Sequence, residues 1–369
     1  MQPPKVIISG GGTGGHVFPA IAIADAIRQV RPDADLLFVG ALGRLEMERV
    51  PAAGYPIEGL DIAGVQRRVT WKNLLVPVKL VKSILKSHRI LRQFKPQVAV
   101  GVGGYASGPL LRAAASRGIP YVVQEQNSYP GVTNKLLSRH AHAICVAYEG
   151  MEKWFPKEKI ILTGNPVRSK LAGSDVSRAE AAAAFGLDPL KPVLLVIGGS
   201  LGARTINESI EASLPQIASA NVQLLWQTGK PFAERATRAI NNAQRQGLTT
   251  LPFIDRMDLA YAIANVVVSR AGAMSVSELC MVAKPTIFVP SPNVAEDHQT
   301  KNAQALVSKG AALLVADADA KQSLVTTALE LLAKPERCTQ LQQAMAPLAR
   351  PNAAADIARE VLKLIPAQG

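Results

Sequence analysis

The chain has 369 residues, more than one typical core accommodates, so two domains are expected. Hydrophobic residues make up 48%, ample for packed cores, and the net charge of +13 is uneven: residues 1–165 carry 21 basic and 11 acidic side chains, residues 166–369 carry 20 and 17. Cys145, Cys280 and Cys338 form no CxxC or zinc spacing, the first residues lack a signal-peptide core, and the uncharged stretch 96–111 is broken by glycine and proline. These features argue against a disulfide scaffold, a secretion leader and a membrane span.

In chain order, "KVIIS" (5–9) reads as a strand that ends in "GGGTGGH" (10–16) and opens a helix over 18–30. Gly10, Gly12 and Gly15 satisfy the spacing of a dinucleotide turn, but such a site wants an acid at the end of the second strand, and "DLLFVG" (35–40) ends in Gly40. No GxxxxGK[ST] occurs, which excludes a P-loop. What remains is a turn whose N–H groups favour anions at a helix start. Thr13 adds a hydroxyl, and His16, in the first helical turn, is a candidate base for a sugar hydroxyl, with capping or packing as the plainer reading.

A helix over 44–53 follows, and then a stretch, 62–124, with eleven basic residues and no acid. Low aromatic content and the absence of a recognisable motif argue against nucleic acid, and an anionic membrane surface explains the charge. In the helix expected over 77–94, Lys79, Lys82, Lys86 and Arg89 fall on one face. Leu80, Val81, Ile84, Leu91 and Phe94 fall on the other, expected to meet a sheet. Trp71, Leu74 and Leu75, just before it, are candidates for insertion. Strands at 97–102, 121–125 and 143–147 alternate with helices at 108–117 and 131–140.

A joint over 164–192 leads to a second strand series at 192–200, 222–228, 249–254, 265–270 and 285–290. Alternation of this kind implies parallel sheets and two similar α/β domains, 1–165 and 166–369, facing a ligand cleft. The stretch 352–365 reads as a helix whose docking the pattern leaves open, on its own domain or back on the first. Glycine turns recur at "GVGGYASG" (101–108), "GGSLGARTIN" (198–207) and "SRAGAMSVSE" (269–278). "DAD" occurs at 33–35 and 317–319; both read as turns away from the motifs, so no catalytic metal and no cofactor are expected.

Those turns, with "EQNSYPGVTNK" (125–135), "TGNPVR" (163–168) and "DHQTKNA" (297–303), resemble the MurG family in order and spacing from about residue 5 to residue 310. The resemblance implies a GT-B fold with the acceptor lipid on the first domain and the nucleotide sugar on the second. It also implies inverting transfer of N-acetylglucosamine from UDP-N-acetylglucosamine to lipid I, on the cytoplasmic face of the plasma membrane. By the same resemblance Thr13, Gly14, Gly15 and Asn127 lie near the donor sugar, and Arg168 and Ser200 near the nucleotide. Ile254 packs on uracil, Ala273, Met274, Ser275, Val276, Ser277 and Glu278 hold the nucleotide, and Gln299 and Asn302 reach the sugar hydroxyls. Gly103, Gly104 and Tyr105 belong to the acceptor side. His16 is the first candidate for the base and Glu125 the second. A rival enzyme is another GT-B glycolipid synthase, such as a galactosyl-diacylglycerol synthase; a rival of another class is a membrane-recruited sugar-nucleotide sensor.

Overall fold

The computed structural model describes residues 3–62, 76–167, 176–199 and 201–366. The chain divides into two compact units, Met1–Val167 with Arg350–Gly369, and Arg168–Ala349. The C-terminal stretch therefore returns to the first unit rather than staying with the second.

The first unit runs β1 (Lys5–Gly10), α1 (Gly14–Val30), β2 (Asp35–Ala41), α2 (Glu46–Ala52), β3 (Ile57–Leu60), α3 (Val76–Phe94), β4 (Val98–Gly103), α4 (Ser107–Ser116), β5 (Tyr121–Glu125), α5 (Val132–Ser138), β6 (Ala143–Val146) and β7 (Ile160–Leu162). Its seven strands are ordered β3-β2-β1-β4-β5-β6-β7, and their pairings are parallel. The inner strands are apolar and buried along their length, as expected of a sheet covered on both faces.

The second unit runs α6 (Arg178–Phe185), β8 (Val193–Ile197), α7 (Arg204–Ala212), α8 (Leu214–Ser219), β9 (Gln223–Gln227), α9 (Ala233–Ala243), β10 (Leu248–Leu251), α10 (Met257–Ile263), β11 (Val266–Ser269), α11 (Ala273–Val282), β12 (Thr286–Phe288), α12 (His298–Val307), β13 (Leu313–Leu314), α13 (Ala320–Leu332) and α14 (Pro335–Met345). Its parallel sheet is ordered β10-β9-β8-β11-β12-β13. Helix α15 (Ala353–Lys363) closes the first unit: Ile357, Ala358 and Val361 join Ile23, Ile27 and Cys145 in one buried cluster.

The main strands fall where the apolar runs place them, but β3, β7 and β13 have no counterpart in the sequence reading. All three are edge strands of two to four residues, too short to show periodicity. Strand β10 stops at Leu251, short of the expected 254, because Pro252 follows and has no N–H for the ladder. The expected joint contains α6, which has complete local signals. Ser177 caps it by accepting from the Glu180 N–H at 3.1 Å, and Gly186 ends it in the left-handed region.

Candidate active site

In the first unit the strand order reverses between β1 and β4, the position where open α/β sheets bind ligands beyond the carboxyl ends. The two turns there are knit together. Gly11 N–H donates to the Gly103 carbonyl at 3.3 Å, and the buried Ser107 hydroxyl donates to the carbonyls of Ser9 and Gly103 at 2.9 and 2.8 Å. Gly104 (φ +86°) lies so close to Gly11 that a Cβ would overlap its carbonyl.

Helix α1 starts four residues earlier than expected, which keeps His16 in its first turn. The Cδ2–Nε2 edge of the imidazole lies against Gly103, where a Cβ would come within 2.7 Å of Cδ2 and 2.9 Å of Nε2. Its Nδ1 faces the Thr13 hydroxyl at 3.5 Å. Thr13 makes no side-chain cap bond to α1. Tyr105, beyond the second turn, is 47% exposed.

Glu125 is a poor candidate for the base. It is buried and accepts from Asn127 N (3.0 Å), Asn127 Nδ2 (3.2 Å), Gly131 N (3.1 Å) and Asn134 Nδ2 (2.8 Å). Burial raises its pKa above the usual carboxylate range, and the four donors pull the other way. The carboxylate ties the 127–131 loop to β5 and so sets Asn127. Asn134, unassigned in the sequence reading, is part of that lock.

In the second unit β11 delivers the chain to Gly272, whose extended backbone opens α11 with no acid in its first turn. Ala273 and Val276 are buried, Met274 and Ser275 half-buried, and the Ser277 hydroxyl donates to the Ala273 carbonyl at 3.0 Å. Glu278 is half-buried and accepts from the Tyr261 hydroxyl at 3.3 Å. Ile254 is buried in the loop after β10.

Asn302 is fully buried and donates to the Ala271 carbonyl at 3.3 Å, so it braces the turn before α11. Gln299 accepts from Ser291 N at 2.9 Å. Just before α12, Glu296 and Asp297 both have left-handed backbones (φ 54° and 50°). Two adjacent non-glycine residues there store strain, a feature of functional turns.

The second "DAD" is a short helical turn, but it is not remote from the motifs. Asp317 pairs with Arg270, which opens "RAGAMSVSE", at 2.5 Å, and also accepts from the Thr205 hydroxyl at 2.9 Å. A sequence signal existed, an arginine inside a small-residue turn that needs a counter-ion. Among the described residues no three His, Cys, Asp or Glu side chains converge as metal ligands.

Helix α3 differs most from expectation. Its buried residues are Ser83, Ser87, Ile90 and Leu91, while Val78, Leu80, Val81 and Leu85 are 51%, 41%, 57% and 63% exposed. The basic face is also partly neutralised. Lys79 pairs with Asp61 at 2.8 Å, and Lys86 lies 3.7 Å from Glu58 and donates to the Gly59 carbonyl at 2.7 Å. Lys82, Arg89 and Arg92 remain exposed. The expected residues Trp71, Leu74, Leu75, Arg168 and Ser200 lie outside the described residues.

Two parallel nucleotide-fold sheets, each ending in glycine turns that open helices, define the GT-B class of sugar transferases. Residues 6–146 match the N-terminal domain of glycosyltransferase family 28, and residues 193–361 its C-terminal domain. A Bacteroides fragilis protein named UDP-N-acetylglucosamine--N-acetylmuramyl-(pentapeptide) pyrophosphoryl-undecaprenol N-acetylglucosamine transferase is 56% identical over 362 residues, 98% of this chain and 95% of its own. The protein of that name from Phocaeicola vulgatus is 55% identical over 98% of this chain and 96% of its own. The crystal structure of Acinetobacter baumannii MurG superposes with a TM-score of 0.79 at 30% identity, over 98% of this chain and 100% of that one. The chain belongs to glycosyltransferase family 28 and, within it, to the MurG family.

Proposed function

We propose that this chain transfers N-acetylglucosamine from UDP-N-acetylglucosamine to the muramoyl 4-hydroxyl of undecaprenyl-pyrophosphoryl-N-acetylmuramoyl-pentapeptide, converting lipid I to lipid II with inversion at the anomeric carbon. The observation that carries this reading is the 56% identity, over 98% of the chain, to a transferase whose name states that donor and that acceptor.

His16 takes the proton from the attacking hydroxyl. With Nδ1 turned to the Thr13 hydroxyl, Nε2, on the Gly103 side, is the accepting nitrogen. Gly14, Gly15 and Asn127 hold the sugar being transferred, and the loop carrying Gly103, Gly104 and Tyr105 receives the acceptor. The amino end of α11, free of acidic residues, stabilises the charge that develops on the departing UDP. Glu278, with Tyr261 beside it, accepts from the ribose hydroxyls. These parts supply proton transfer and leaving-group stabilisation without a bound cation.

Among the described residues no helix is long and apolar enough to cross a membrane. The enzyme instead rests on the cytoplasmic leaflet through α3. Val78, Leu80, Val81 and Leu85 enter the headgroup region, and Lys82, Arg89 and Arg92 contribute about 1 kcal/mol each near an anionic surface.

The test is turnover with defined donors and a soluble lipid I analogue, with the product linkage read by NMR. A β-linked N-acetylglucosaminyl product whose formation survives chelation is expected. Better turnover of UDP-galactose onto diacylglycerol would replace this reading with the glycolipid synthase, and UDP binding without turnover would favour the sensor.

A further inference from the structure

A buried carboxylate that the sequence reading did not single out sits behind the turn after β1. Glu46, the first residue of α2, has no exposed surface. Its Oε2 accepts from Gly12 N–H at 2.8 Å and its Oε1 from Ala41 N–H at 3.0 Å. The side chain threads between two glycines. A Cβ on Gly11 would overlap the carboxyl group, and one on Gly40 would overlap Cγ. Among the described residues no lysine or arginine forms an ion pair with it.

A dinucleotide site of this topology has an acid at the end of β2, held out to a ribose. Here that place is Gly40, and the acid comes six residues later, pointing inward at the turn. With Gly11 N–H given to the Gly103 carbonyl and Gly12 N–H to Glu46, two amides that would grip a phosphate are already taken. A phosphate brought to the same seat would also meet the Glu46 side-chain oxygens, which already occupy it.

We infer that Glu46 is a positioning residue: its carboxylate fills the anion seat of the turn after β1, so that the turn presents Thr13 and His16 and does not bind a phosphate. Gly12 is held at φ +89°, and the chain passes directly from it to Thr13 and into the first turn of α1. Loss of the carboxylate frees the buried Ala41 N–H and the half-buried Gly12 N–H and lets that turn relax, moving His16 away from Gly103. The inference rests on the assignment of His16 as the base.

The experiment uses the full chain with Glu46→Ala and Glu46→Gln, each alone and combined with His16→Ala. Glutamine keeps the shape but brings its amide N–H against one of the two N–H donors, so it preserves one bond at best. Misplacing a reacting group by about 1 Å costs on the order of 100-fold, and a loss of that order in kcat is expected for Glu46→Ala. A smaller loss is expected for Glu46→Gln. UDP affinity stays within about twofold, since the nucleotide is held elsewhere.

On the His16→Ala background either change costs little more, because the group being positioned is gone. Inorganic phosphate at millimolar concentration inhibits Glu46→Ala more strongly than the native chain, because the seat has opened, and inhibits Glu46→Gln, which still fills the seat, less than Glu46→Ala. Unchanged kcat in both single variants, or the same fold loss with and without His16, would overturn the inference; the second pattern marks a merely structural residue. If Glu46→Ala fails to fold, Glu46→Gln carries the measurement. Unchanged turnover in His16→Ala sinks the base assignment separately, and Glu46 is then judged on the kcat loss and the phosphate response.

Discussion

Behind the turn after β1, buried Glu46 accepts the Gly12 N–H; behind the turn after β11, buried Asn302 donates to the Ala271 carbonyl. The first arrangement uses up a donor of its turn and fills the space behind it with acceptor oxygens. The second uses up an acceptor and no N–H, leaving the start of α11 to an anion. Similar glycine-rich sequence at similar places in two sheets therefore yields two chemistries, and the side chain behind each turn decides which. The proposed reaction accordingly assigns proton transfer to the first unit and the pyrophosphate to the second.

Replacing His16 is the severest challenge to that division. His16→Ala should cut kcat by about 10²–10⁴, the usual worth of a positioned general base, with UDP affinity unchanged by calorimetry. If UDP affinity falls and kcat does not, the first unit binds nucleotide and the contrast between the turns is wrong. Asn302→Ala probes the other side. It leaves the buried Ala271 carbonyl without that donor, a cost of about 1–3 kcal/mol at the turn. UDP binding should weaken about tenfold, while turnover at saturating donor changes little. Unaltered UDP affinity would show that the brace behind this turn does not matter.

An effect of the same order is expected at α3, where charge and apolar surface share one helix. The combined variant Leu80→Ser, Val81→Ser and Leu85→Ser removes three exposed apolar side chains and touches no ion pair. Binding to vesicles of anionic phospholipid should weaken about tenfold, the worth of partial insertion of these groups. The loss should be clearest at high salt, where the lysine and arginine contribution is screened. Binding that is unchanged at high salt would move the docking surface away from α3.

The strands and glycine turns were legible because a parallel sheet buried on both faces writes itself as apolar runs ending in glycine. Helix α3 misled for an equally physical reason. A projection at 100° per residue finds the apolar side, but this helix turns Ser83 and Ser87 inward and leaves Leu80 and Val81 outside. The ion pairs of Lys79 and Lys86 were hidden because Asp61 and Glu58 precede the acid-free stretch in sequence and lie beside it in space. Glu46 was overlooked because a glutamate in the first turn of a helix reads as a surface residue facing the dipole. Only the closeness of Gly11 and Gly40 to its side chain exposes its position. Arg168 and Ser200 stay expectations of the family pattern.

Buried and surface carboxylates also differ in how they are compensated, and this gives the smallest expected effect. Glu46 and Glu125 are met by N–H groups, whereas Glu208 on α7 is met by Arg204 and by Lys321 on α13, both at 2.7 Å. Hydrogen bonds from Lys321, then Arg204, draw the Glu208 pKa down to about 2. A carboxylate depressed in this way stabilises the fold fully above its unfolded pKa of 4.5, and loses that contribution as the pH falls toward 2. Glu125, raised by burial, has the opposite sign: its contribution is greatest in acid and is lost as the pH rises through its elevated pKa. Glu208→Gln should therefore lower the melting temperature at pH 7 by no more than about 1–2 °C, as surface ion pairs do. Melts repeated at descending pH should show the gap to the native chain closing below 4.5. A gap that persists undiminished toward pH 2 would mean that Glu208 is not held by its two cations, and the contrast in charge compensation would fail at this site.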